Sequence, residues 1–289
     1  MPTLRSLALL AAAPVLAASL AHADPDWAKT YPVSAQPSLN ITTGDSSVEI
    51  ASCGSCREIR IRVEWRDFPA SKFILAQSQT GNHVEFSLRE KTGFGVHLNF
   101  GNRRAPRVTV QTPRAIDLQA RTSDGALRVS GVSGNLQLRT SDGSLAAANV
   151  TGALSLTASD GSIQVHDASG TLESQSSDGS VQIAGKFSGL QVKGSDGSID
   201  LLLESGSQLT RASSIQASDG SVKLRLPRNL AADLEVHTGD GSVHCGLPLT
   251  MDGYNTAITG KKGLRGKLNG GGVPLTIRTQ GGSVTITAL

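Results

Sequence analysis

The stretch that decides the fold runs from Gly125 to Asp196, where four consecutive 18-residue segments align on a shared Asp-Gly step. They read GALRVSGVSGNLQLRTSD (125–142), GSLAAANVTGALSLTASD (143–160), GSIQVHDASGTLESQSSD (161–178) and GSVQIAGKFSGLQVKGSD (179–196). The pattern continues at Gly197, Gly220 and Gly241, so the period lengthens to 23 and then 21 residues. A short fixed period indicates one structural unit stacked on copies of itself.

Each unit contains two short stretches in which aliphatic residues alternate with other residues. In the first unit these aliphatic residues are Leu127, Val129, Val132, Leu136 and Leu138. A spacing of two indicates a strand with one buried face, and residues 132–134 separate the two strands as a corner. Stacked about 4.8 Å apart, each strand would pair with its equivalents above and below.

We therefore predict an all-β fold: a parallel β-solenoid with two short strands in each coil of roughly 18 residues, of undetermined handedness. A left-handed helix of three hexapeptides fits less well, because its aliphatic residues would lie six positions apart. The main alternative is an antiparallel sandwich.

The Asp-Gly step predicts a tight corner. Glycine accepts a positive φ without steric cost, and the Asp carboxylate can accept hydrogen bonds from N–H groups of its own turn. Stacking aligns these carboxylates in a row whose neighbours repel by about 1 kcal/mol even in water. We expect turn N–H groups and flanking Ser hydroxyls to hold them. The less favoured alternative is a row of divalent cations bound by Asp124, Asp142, Asp160, Asp178, Asp196, Asp219 and Asp240.

The N-terminal residues are typical of a secretory signal. Arg5 precedes an apolar stretch from Leu7 to Leu20, and a small-x-small cleavage site ends at Ala23. We predict a signal peptide at residues 1–23 and an exported protein that is periplasmic, on the cell surface or secreted. The apolar stretch is short for a bilayer, and no later segment predicts a transmembrane helix.

The remaining chain divides into an irregular segment, residues 24–37, and a single β-solenoid domain, residues 38–289. Within the domain we predict an insertion or cap at 57–104, regular coils at 108–250, and a loop and terminal coil at 251–289. Five of the six Phe residues lie between Phe68 and Phe100, which suits a cover over the end of the stack. The lengthened corners, near residues 204–214 and 227–232, are where binding is expected.

Basic residues form three runs, although the net charge is only +3. The runs are candidates for binding anionic envelope polymers, and the alternative is that they are solvated strand faces. Nucleic acid is not an expected partner, because aromatic residues are few and no recognition helix is present. The runs comprise Arg57, Arg60, Arg62 and Arg66, then Arg103, Arg104 and Arg107, then Lys261, Lys262, Arg265 and Lys267.

Cys53 and Cys56 form a C-x-x-C motif without a surrounding βαβ pattern. In an oxidising compartment a disulfide is the favoured state. Zinc would need two further ligands, and the only candidates, His244 and Cys245, lie about 190 residues away. We therefore predict no metal and no cofactor, with Cys245 left over as a small buried residue.

No constellation of residues predicts catalysis. Ser123, His166 and Asp167 contain the residue types of a triad, but no G-x-S-x-G elbow is present. Carboxylates occur once per coil rather than as the converging pair that glycoside hydrolysis needs. The other His residues are scattered and expected on solvent-facing strand surfaces. A polysaccharide-cleaving solenoid is the least favoured function.

Residues 107–152, RVTVQTPRAIDLQARTSDGALRVSGVSGNLQLRTSDGSLAAANVTG, and 267–286, KLNGGGVPLTIRTQGGSVTI, resemble the bacterial family known as putative adhesins, a domain of unknown function. The resemblance covers roughly residues 38–289. It implies an exported, repetitive β protein of the cell envelope and transfers no catalytic residues.

Two other functions are in competition. The first is a non-catalytic binding or adhesion module that contacts a protein or polymer through its repetitive Ser-, Thr- and Asp-rich surface. Aromatic residues make up only 3% of the chain, so stacking platforms for sugars are scarce. The second is a structural scaffold that self-associates through the Gly-rich terminal coil and its exposed edge.

Overall fold

The computed structural model of the protein describes residues 25–91, 104–251 and 254–289, without the side chains of residues 254–261. Its regular structure consists of 23 strands and a three-residue 3-10 turn, Ala70–Lys72. The prediction of an all-β fold is confirmed. None of the described residues belongs to a helix long and apolar enough to cross a membrane. The predicted signal peptide lies outside the described residues.

The strands before the regular repeats are β1 (Trp27–Pro32), β2 (Ser38–Thr43), β3 (Ser47–Ser52), β4 (Glu58–Glu64), β5 (Phe73–Thr80), β6 (His83–Glu90), β7 (Arg107–Thr112) and β8 (Asp117–Thr122). The repeats form β9 (Leu127–Ser130), β10 (Ser133–Thr140), β11 (Leu145–Ala148), β12 (Thr151–Ala158), β13 (Ile163–Ser176), β14 (Val181–Gly194), β15 (Ile199–Leu203), β16 (Ser213–Ala217), β17 (Val222–Leu226), β18 (Ala232–Thr238) and β19 (Val243–Met251). The chain ends with β20 (Tyr254–Lys261), β21 (Gly263–Leu268), β22 (Pro274–Thr279) and β23 (Val284–Ala288).

The strands pair into two ladders that share one core. The first ladder contains the strands that lead into the Asp-Gly corners, in the spatial order β5, β6, β2, β8, β10, β12, β13, β14, β16, β22, β18, β21. The second contains the strands that follow those corners, in the order β1, β4, β7, β3, β9, β11, β13, β14, β15, β17, β23, β19, β20. Strands β13 and β14 are long enough to serve both ladders.

Successive regular repeats pair in parallel, with equivalent residues side by side. Leu136 lies opposite both Leu118 and Leu154, each 18 residues away along the chain. Every inward aliphatic residue of the first repeat is at most 2% exposed. Burying such a side chain contributes about 1.5–3 kcal/mol before the entropy cost of ordering it. Each coil is thus stabilised by the coils above and below it.

The coils do not follow chain order at either end of the stack. Strands β2 and β3, the first coil in the chain, lie between the β6/β7 coil and the β8/β9 coil. Strands β22 and β23, the last coil in the chain, lie between β16/β17 and β18/β19. All coils offer the same backbone edge, so hydrogen bonding alone does not impose chain order. The predicted terminal coil is therefore internal.

The Asp-Gly glycines permit close stacking and do not adopt a positive φ. A Cβ added to Gly161 would overlap the backbone carbonyl of Gly143, well inside 3.0 Å. Positive φ angles occur at the opposite corner instead, at Gly131 (71°), Asn149 (53°) and Asp167 (53°). The predicted left-handed conformation of the Asp-Gly corner is therefore wrong. Glycine is needed there because the coil below leaves no room for a side chain.

Antiparallel strands extend the two ladders at both of their ends. At the N-terminal end β1 pairs with β4, β4 with β7, and β5 with β6. At the C-terminal end β21 pairs with β18, and β20 with β19. Residues 27–32, predicted to be irregular, and residues 254–268, predicted to form a loop, are therefore strands. They lack the repeat pattern, and they are extended because the neighbouring strand edge offers N–H and C=O groups to pair with.

Aromatic side chains cover the core at the N-terminal end. The ring centroids of Trp27 and Phe86 are 5.6 Å apart, and those of Trp65 and Phe73 are 5.8 Å apart. The Tyr31 side chain is buried, which raises the pKa of its hydroxyl. Phe94 and Phe100 lie outside the described residues.

Candidate functional site

The row of Asp residues lies at exposed corners, but its hydrogen bonding differs from the prediction. The backbone N–H groups of Ser141, Asp142 and Gly143 all point at the Ser123 carbonyl oxygen of the preceding coil, at 3.1, 3.1 and 3.3 Å. Three converging N–H groups make a nest for an oxygen atom. Within the described residues, the Asp142 carboxylate has no hydrogen-bond partner. The expectation of a carboxylate held by its own turn is wrong, because the coil below takes those donors.

The cation row at the seven Asp residues stays the less favoured alternative, and the absence of a metal stays a prediction. The described residues contain no group of three or more His, Cys, Asp or Glu side chains able to hold a metal ion together. Asp45, in the first coil, is in a special position. Burial, followed by the negative charges of Asp124 and Glu90, raises the pKa of the Asp45 carboxyl. Carboxylates at that end of the row therefore repel one another.

Most Arg residues of the first two basic runs are paired with carboxylates. The nitrogen-to-oxygen distances lie between 2.5 and 3.3 Å for the pairs Arg60–Glu58, Arg62–Asp26, Arg104–Asp67 and Arg107–Glu49. Hydrogen bonds from the Arg104 backbone and side chain lower the pKa of the Asp67 carboxyl. Arg103 and the Lys261 side chain lie outside the described residues. Within the described residues Arg57 and Arg66 have no ion pair, so these two remain available to an anionic polymer.

The remaining residues singled out in the sequence do not assemble into a reactive site. A disulfide joins Cys53 and Cys56 in the turn between β3 and β4. Cys245 is free and buried in β19, and burial raises the pKa of its thiol. His83, His237 and His244 lie on strand surfaces, and His97 lies outside the described residues.

The three residues with triad chemistry are not brought together. Ser123 lies at an Asp-Gly corner, whereas His166 and Asp167 lie at the opposite corner. His166 Nδ1 is 3.0 Å from the Asp167 carboxylate, with the side chains 64% and 61% exposed. The pair is a solvent-exposed surface contact.

Both ladders carry ion pairs, but these are not evenly spread along them. The second ladder has pairs such as Arg107–Glu49 and Arg225–Asp200, the latter at 2.8 Å, and the first ladder has Arg278–Glu235 at 3.7 Å near its C-terminal end. In the middle of the first ladder, β10, β12 and the parts of β13 and β14 that belong to this ladder carry no ion pair within the described residues. Their outward side chains include an in-register row of Gln137, Ser155, Glu173 and Gln191. This row makes no side-chain hydrogen bond to other described residues, so its donors and acceptors are free for a ligand.

A groove of about 360 Å³ crosses these strands, and we call it the corner groove. Its wall is the corner that contains Arg211 and Ala212. The side chains of Ala153, Ser155 and Thr171 are small and Gly189 has none, which creates the depression. The outward floor residues are Asn135, Ala153, Thr171 and Gly189 in one row and Gln137, Ser155, Glu173 and Gln191 in the next.

The wall of the corner groove is anchored to the column. It belongs to residues 204–212, between β15 and β16, one of the two lengthened corners at which we expect binding. Thr210 donates its N–H to the Ser188 carbonyl at 2.8 Å, and Leu209 is buried in the core. A Cβ on Gly189 would lie 3.2 Å from Cβ of Arg211, so the Arg211 stem lies directly over this glycine. The groove is therefore preformed.

A larger cavity, of about 740 Å³, lies near the C-terminal end between β18, β21 and β22. Its lining includes Glu235, Arg265 and Lys267, and Glu235 lies 3.7 Å from Arg278 of β22. It also borders Met251, next to the undescribed residues 252–253. Glu235 of this cavity is already paired with Arg278, whereas Gln137, Glu173 and Gln191 of the corner groove make no side-chain hydrogen bond within the described residues, so we place the candidate site at the corner groove.

Sequence reasoning missed the corner groove, although part of it is encoded in the repeat. Gln137, Ser155, Glu173 and Gln191 each lie twelve residues after the repeat Gly, so their alignment follows from the period. No sequence pattern indicates that Arg211 approaches Gly189, because Arg211 belongs to a lengthened corner that does not follow the 18-residue repeat.

Comparison with known proteins gives a family and several similar structures. A family model described as Toastrack DUF4097 matches residues 37–287. Similar solved structures include a "putative adhesin" from Bacteroides fragilis (TM-score 0.41, 10% identity, 92% of this chain and 98% of that chain) and a "putative cell adhesion protein" from Clostridium sporogenes (0.26, 11%, 92% and 100%). A third is a "putative lipid binding protein" from Parabacteroides distasonis (0.46, 10%, 91% and 97%). No curated protein matches the sequence. At these TM-scores the solved structures carry no functional argument.

Proposed function

This chain belongs to the Toastrack DUF4097 family, a domain of unknown function, and on that basis we propose that it is an exported, non-catalytic binding protein of the cell envelope, an adhesin-like module. We propose further that its binding surface is the outer face of the first ladder. The compartment is the periplasm, the cell surface or the outside of the cell.

The free polar groups in the middle of the first ladder carry this proposal. Ion pairs between neighbouring strands already satisfy charged groups of the second ladder, such as Arg225 with Asp200. The middle of the first ladder presents amides, hydroxyls and charges without partners among the described residues. Polar groups without protein partners can exchange water for a ligand, so this is the face suited to recognition.

A rigid column strengthens such recognition, and we propose that the two ladders form a parallel β-solenoid. In-register parallel pairing of residues 18 positions apart supports this architecture. It repeats the same surface groups about every 4.8 Å. Many weak contacts to one polymer then add up through effective concentration.

Export and the lack of catalysis complete the proposal. The signal-like residues 1–23 and the Cys53–Cys56 disulfide favour an oxidising compartment outside the cytosol. The separation of Ser123 from His166 and Asp167 argues against a hydrolytic triad.

The surface assignment can be tested with a bulky label on one strand. Gln175 and Gln164 are both exposed on β13, the former in the first ladder and the latter in the second. Each is replaced by Cys and coupled to a polyethylene glycol maleimide. The native thiols do not compete, because Cys53 and Cys56 are joined and Cys245 is buried.

Retention on immobilised cell-envelope extract is then measured. We expect the label at position 175 to abolish retention and the label at position 164 to leave it unchanged. Loss with both labels, or with the second alone, would contradict the choice of ladder. No retention of the unlabelled protein would contradict the binding function itself.

Self-association is a second candidate function, and strand β5 is the observation that favours it. Within the described residues β5 pairs only with β6 and contains no charged residue and no proline. The end strand β1 contains Lys29 and Pro32, which block edge pairing. Ile74 of β5 is 55% exposed. The Gly-rich coil expected to make this contact is internal, which moves the candidate edge to β5.

Light scattering decides this candidate. If β5 edges pair between molecules, the average mass rises with protein concentration, and Ala76→Lys at the middle of β5 keeps the protein monomeric. The same Lys substitution at Ser155, on a fully paired strand, serves as the control and leaves the association unchanged. A wild-type mass that stays monomeric at every concentration removes the candidate.

A further inference from the structure

We propose that the corner groove binds an uncharged linear glycan whose chain runs along the axis of the column, across the strands of the first ladder. The inference rests on the proposed binding function and specifies its ligand. It follows from the charge, the hydrogen-bonding groups and the spacing of the groove.

Formal charges on the groove lining cancel. Glu173 carries the negative charge of the lining and Arg211 the positive one. A polyanion would meet Glu173 in the middle of the floor, and the cations of the next outward row, Arg139 and Lys193, lie outside the groove lining. A polycation would meet Arg211 at the wall. An uncharged ligand avoids both repulsions.

The side chains of the groove are suited to hydroxyl groups. The Gln amides, the Glu173 carboxylate and the Arg211 guanidinium are planar and can each form paired hydrogen bonds. A sugar carries adjacent hydroxyls that act as both donor and acceptor, which matches such groups. Ser155 and Thr171 add two more hydroxyl groups on the floor. Since Gln137, Glu173 and Gln191 make no side-chain hydrogen bond within the described residues, no internal bond has to break.

The spacing of the coils sets the direction of the ligand. The floor extends from β10 to β14, which is three steps between neighbouring coils or roughly 14 Å. An extended β-linked glycan advances by close to one coil spacing per sugar. Successive sugars would then face Gln137, Ser155, Glu173 and Gln191 in turn. A peptide strand in this orientation would run perpendicular to the strands of the sheet. It could not form backbone hydrogen bonds with these strands, because both of their edges are already paired.

Affinity for a short oligosaccharide is expected to be weak. The groove lining contains no aromatic residue, so stacking on a sugar ring does not contribute. We therefore expect a dissociation constant in roughly the millimolar range. A long polymer that bridges several molecules on a surface gains avidity without new contacts.

The test uses NMR titration of ¹⁵N-labelled mature protein with four hexamers. Cellohexaose and chitohexaose are straight and uncharged, maltohexaose is uncharged but curved, and hexagalacturonate is straight and anionic. We expect at least one straight uncharged hexamer to shift the side-chain amide signals of Gln137 and Gln191. Hexagalacturonate and maltohexaose should leave them in place.

Matched variants locate the site. Glu173→Ala and Arg211→Ala should each weaken binding at least about tenfold, the loss expected when hydrogen bonds to a charged group are removed. Gln164→Ala, an exposed residue in the part of β13 that belongs to the second ladder, should bind like the wild type. Unchanged urea midpoints show that the variants are folded.

The outcomes separate this inference from the proposed function. In one outcome the protein is retained on envelope extract while neither straight uncharged hexamer shifts the amide signals. This result overturns the proposal of a glycan ligand and leaves the binding function standing. Binding of hexagalacturonate alone overturns the uncharged class. Equal binding by the Glu173→Ala and Gln164→Ala variants shows that the ligand does not bind in the corner groove. Loss of both retention and shifts overturns the function and the inference together.

Discussion

Replacing Gly161 by Ala is expected to destabilise the column strongly, whereas replacing Gly44 by Ala is not. A Cβ at position 161 would overlap the Gly143 carbonyl, which is backbone and cannot move without separating two coils. Gly44 lies in the equivalent turn of the first coil and has no atom within 4 Å of an added Cβ. Neither glycine has a positive φ, so backbone conformation does not distinguish them.

The size of the effect follows from the contacts of that corner. The N–H groups of Ser159, Asp160 and Gly161 donate to the Ser141 carbonyl at 3.1, 3.0 and 3.3 Å. Lifting the corner to make room for a methyl group would break about two of these bonds, at about 1 kcal/mol each. Strained packing adds about 1–3 kcal/mol. The expected loss is therefore about 3–5 kcal/mol. Gly44→Ala should be neutral or stabilising by up to about 1 kcal/mol through the unfolded chain.

Urea unfolding followed by circular dichroism measures both variants by linear extrapolation. The m-value has to be compared as well, because stacked repeats can lose two-state behaviour. A Gly161→Ala variant within about 1 kcal/mol of the wild type, at an unchanged m-value, would refute the role of these glycines in coil spacing.

Three further predictions concern the core, the Asp row and the aromatic cap. Leu156→Asp puts a charge at a position that is 1% exposed and should remove the cooperative unfolding transition, whereas Asp142→Asn at an exposed corner should change the free energy of unfolding by less than about 0.5 kcal/mol. Circular dichroism measures both, and an unfolded Asp142→Asn variant would contradict the placement of Asp142 at an exposed corner. The raised pKa of Asp45 means that its contribution to stability is present below the usual value of 3.8 and is lost as the pH rises through the raised pKa. Asp45→Asn should therefore gain stability relative to the wild type as the pH rises from below 3.8, and a difference in urea midpoint that does not change with pH would count against this. Trp65→Ala should lower the free energy of unfolding by about 3–5 kcal/mol, because Trp65 is 6% exposed and packs on Phe73. A decrease of less than about 1 kcal/mol in urea unfolding would show that the aromatic cap is dispensable.

The repeat itself was predictable from the sequence because its physics is local. Alternation at Leu136 and Leu138 identifies a buried strand face, and the 18-residue recurrence places each strand next to its equivalent. Gly125 stacks directly on the Ser46 carbonyl, just as Gly143 stacks on that of Gly125.

Other features were not predictable because they depend on contacts between distant segments. Nothing in residues 274–288 indicates that this coil inserts beneath β18 and β19, since its edges resemble those of every other coil. Strand β1 likewise has no repeat pattern and is extended because it pairs with β4. The role of the Asp-Gly glycines was misjudged because the sequence shows the turn but not the carbonyl beneath it.

The insertion of both chain-terminal coils constrains how this architecture can change in length. A unit added at either end of the chain would find the outer strands already occupied by β4, β5, β20 and β21. Duplication or deletion within residues 117–203, where chain order and spatial order agree, leaves both interlocked ends intact. Longer and shorter descendants of this chain should therefore differ in the middle. On the ribosome, the N-terminal interlock cannot form until β8 and β9 have emerged.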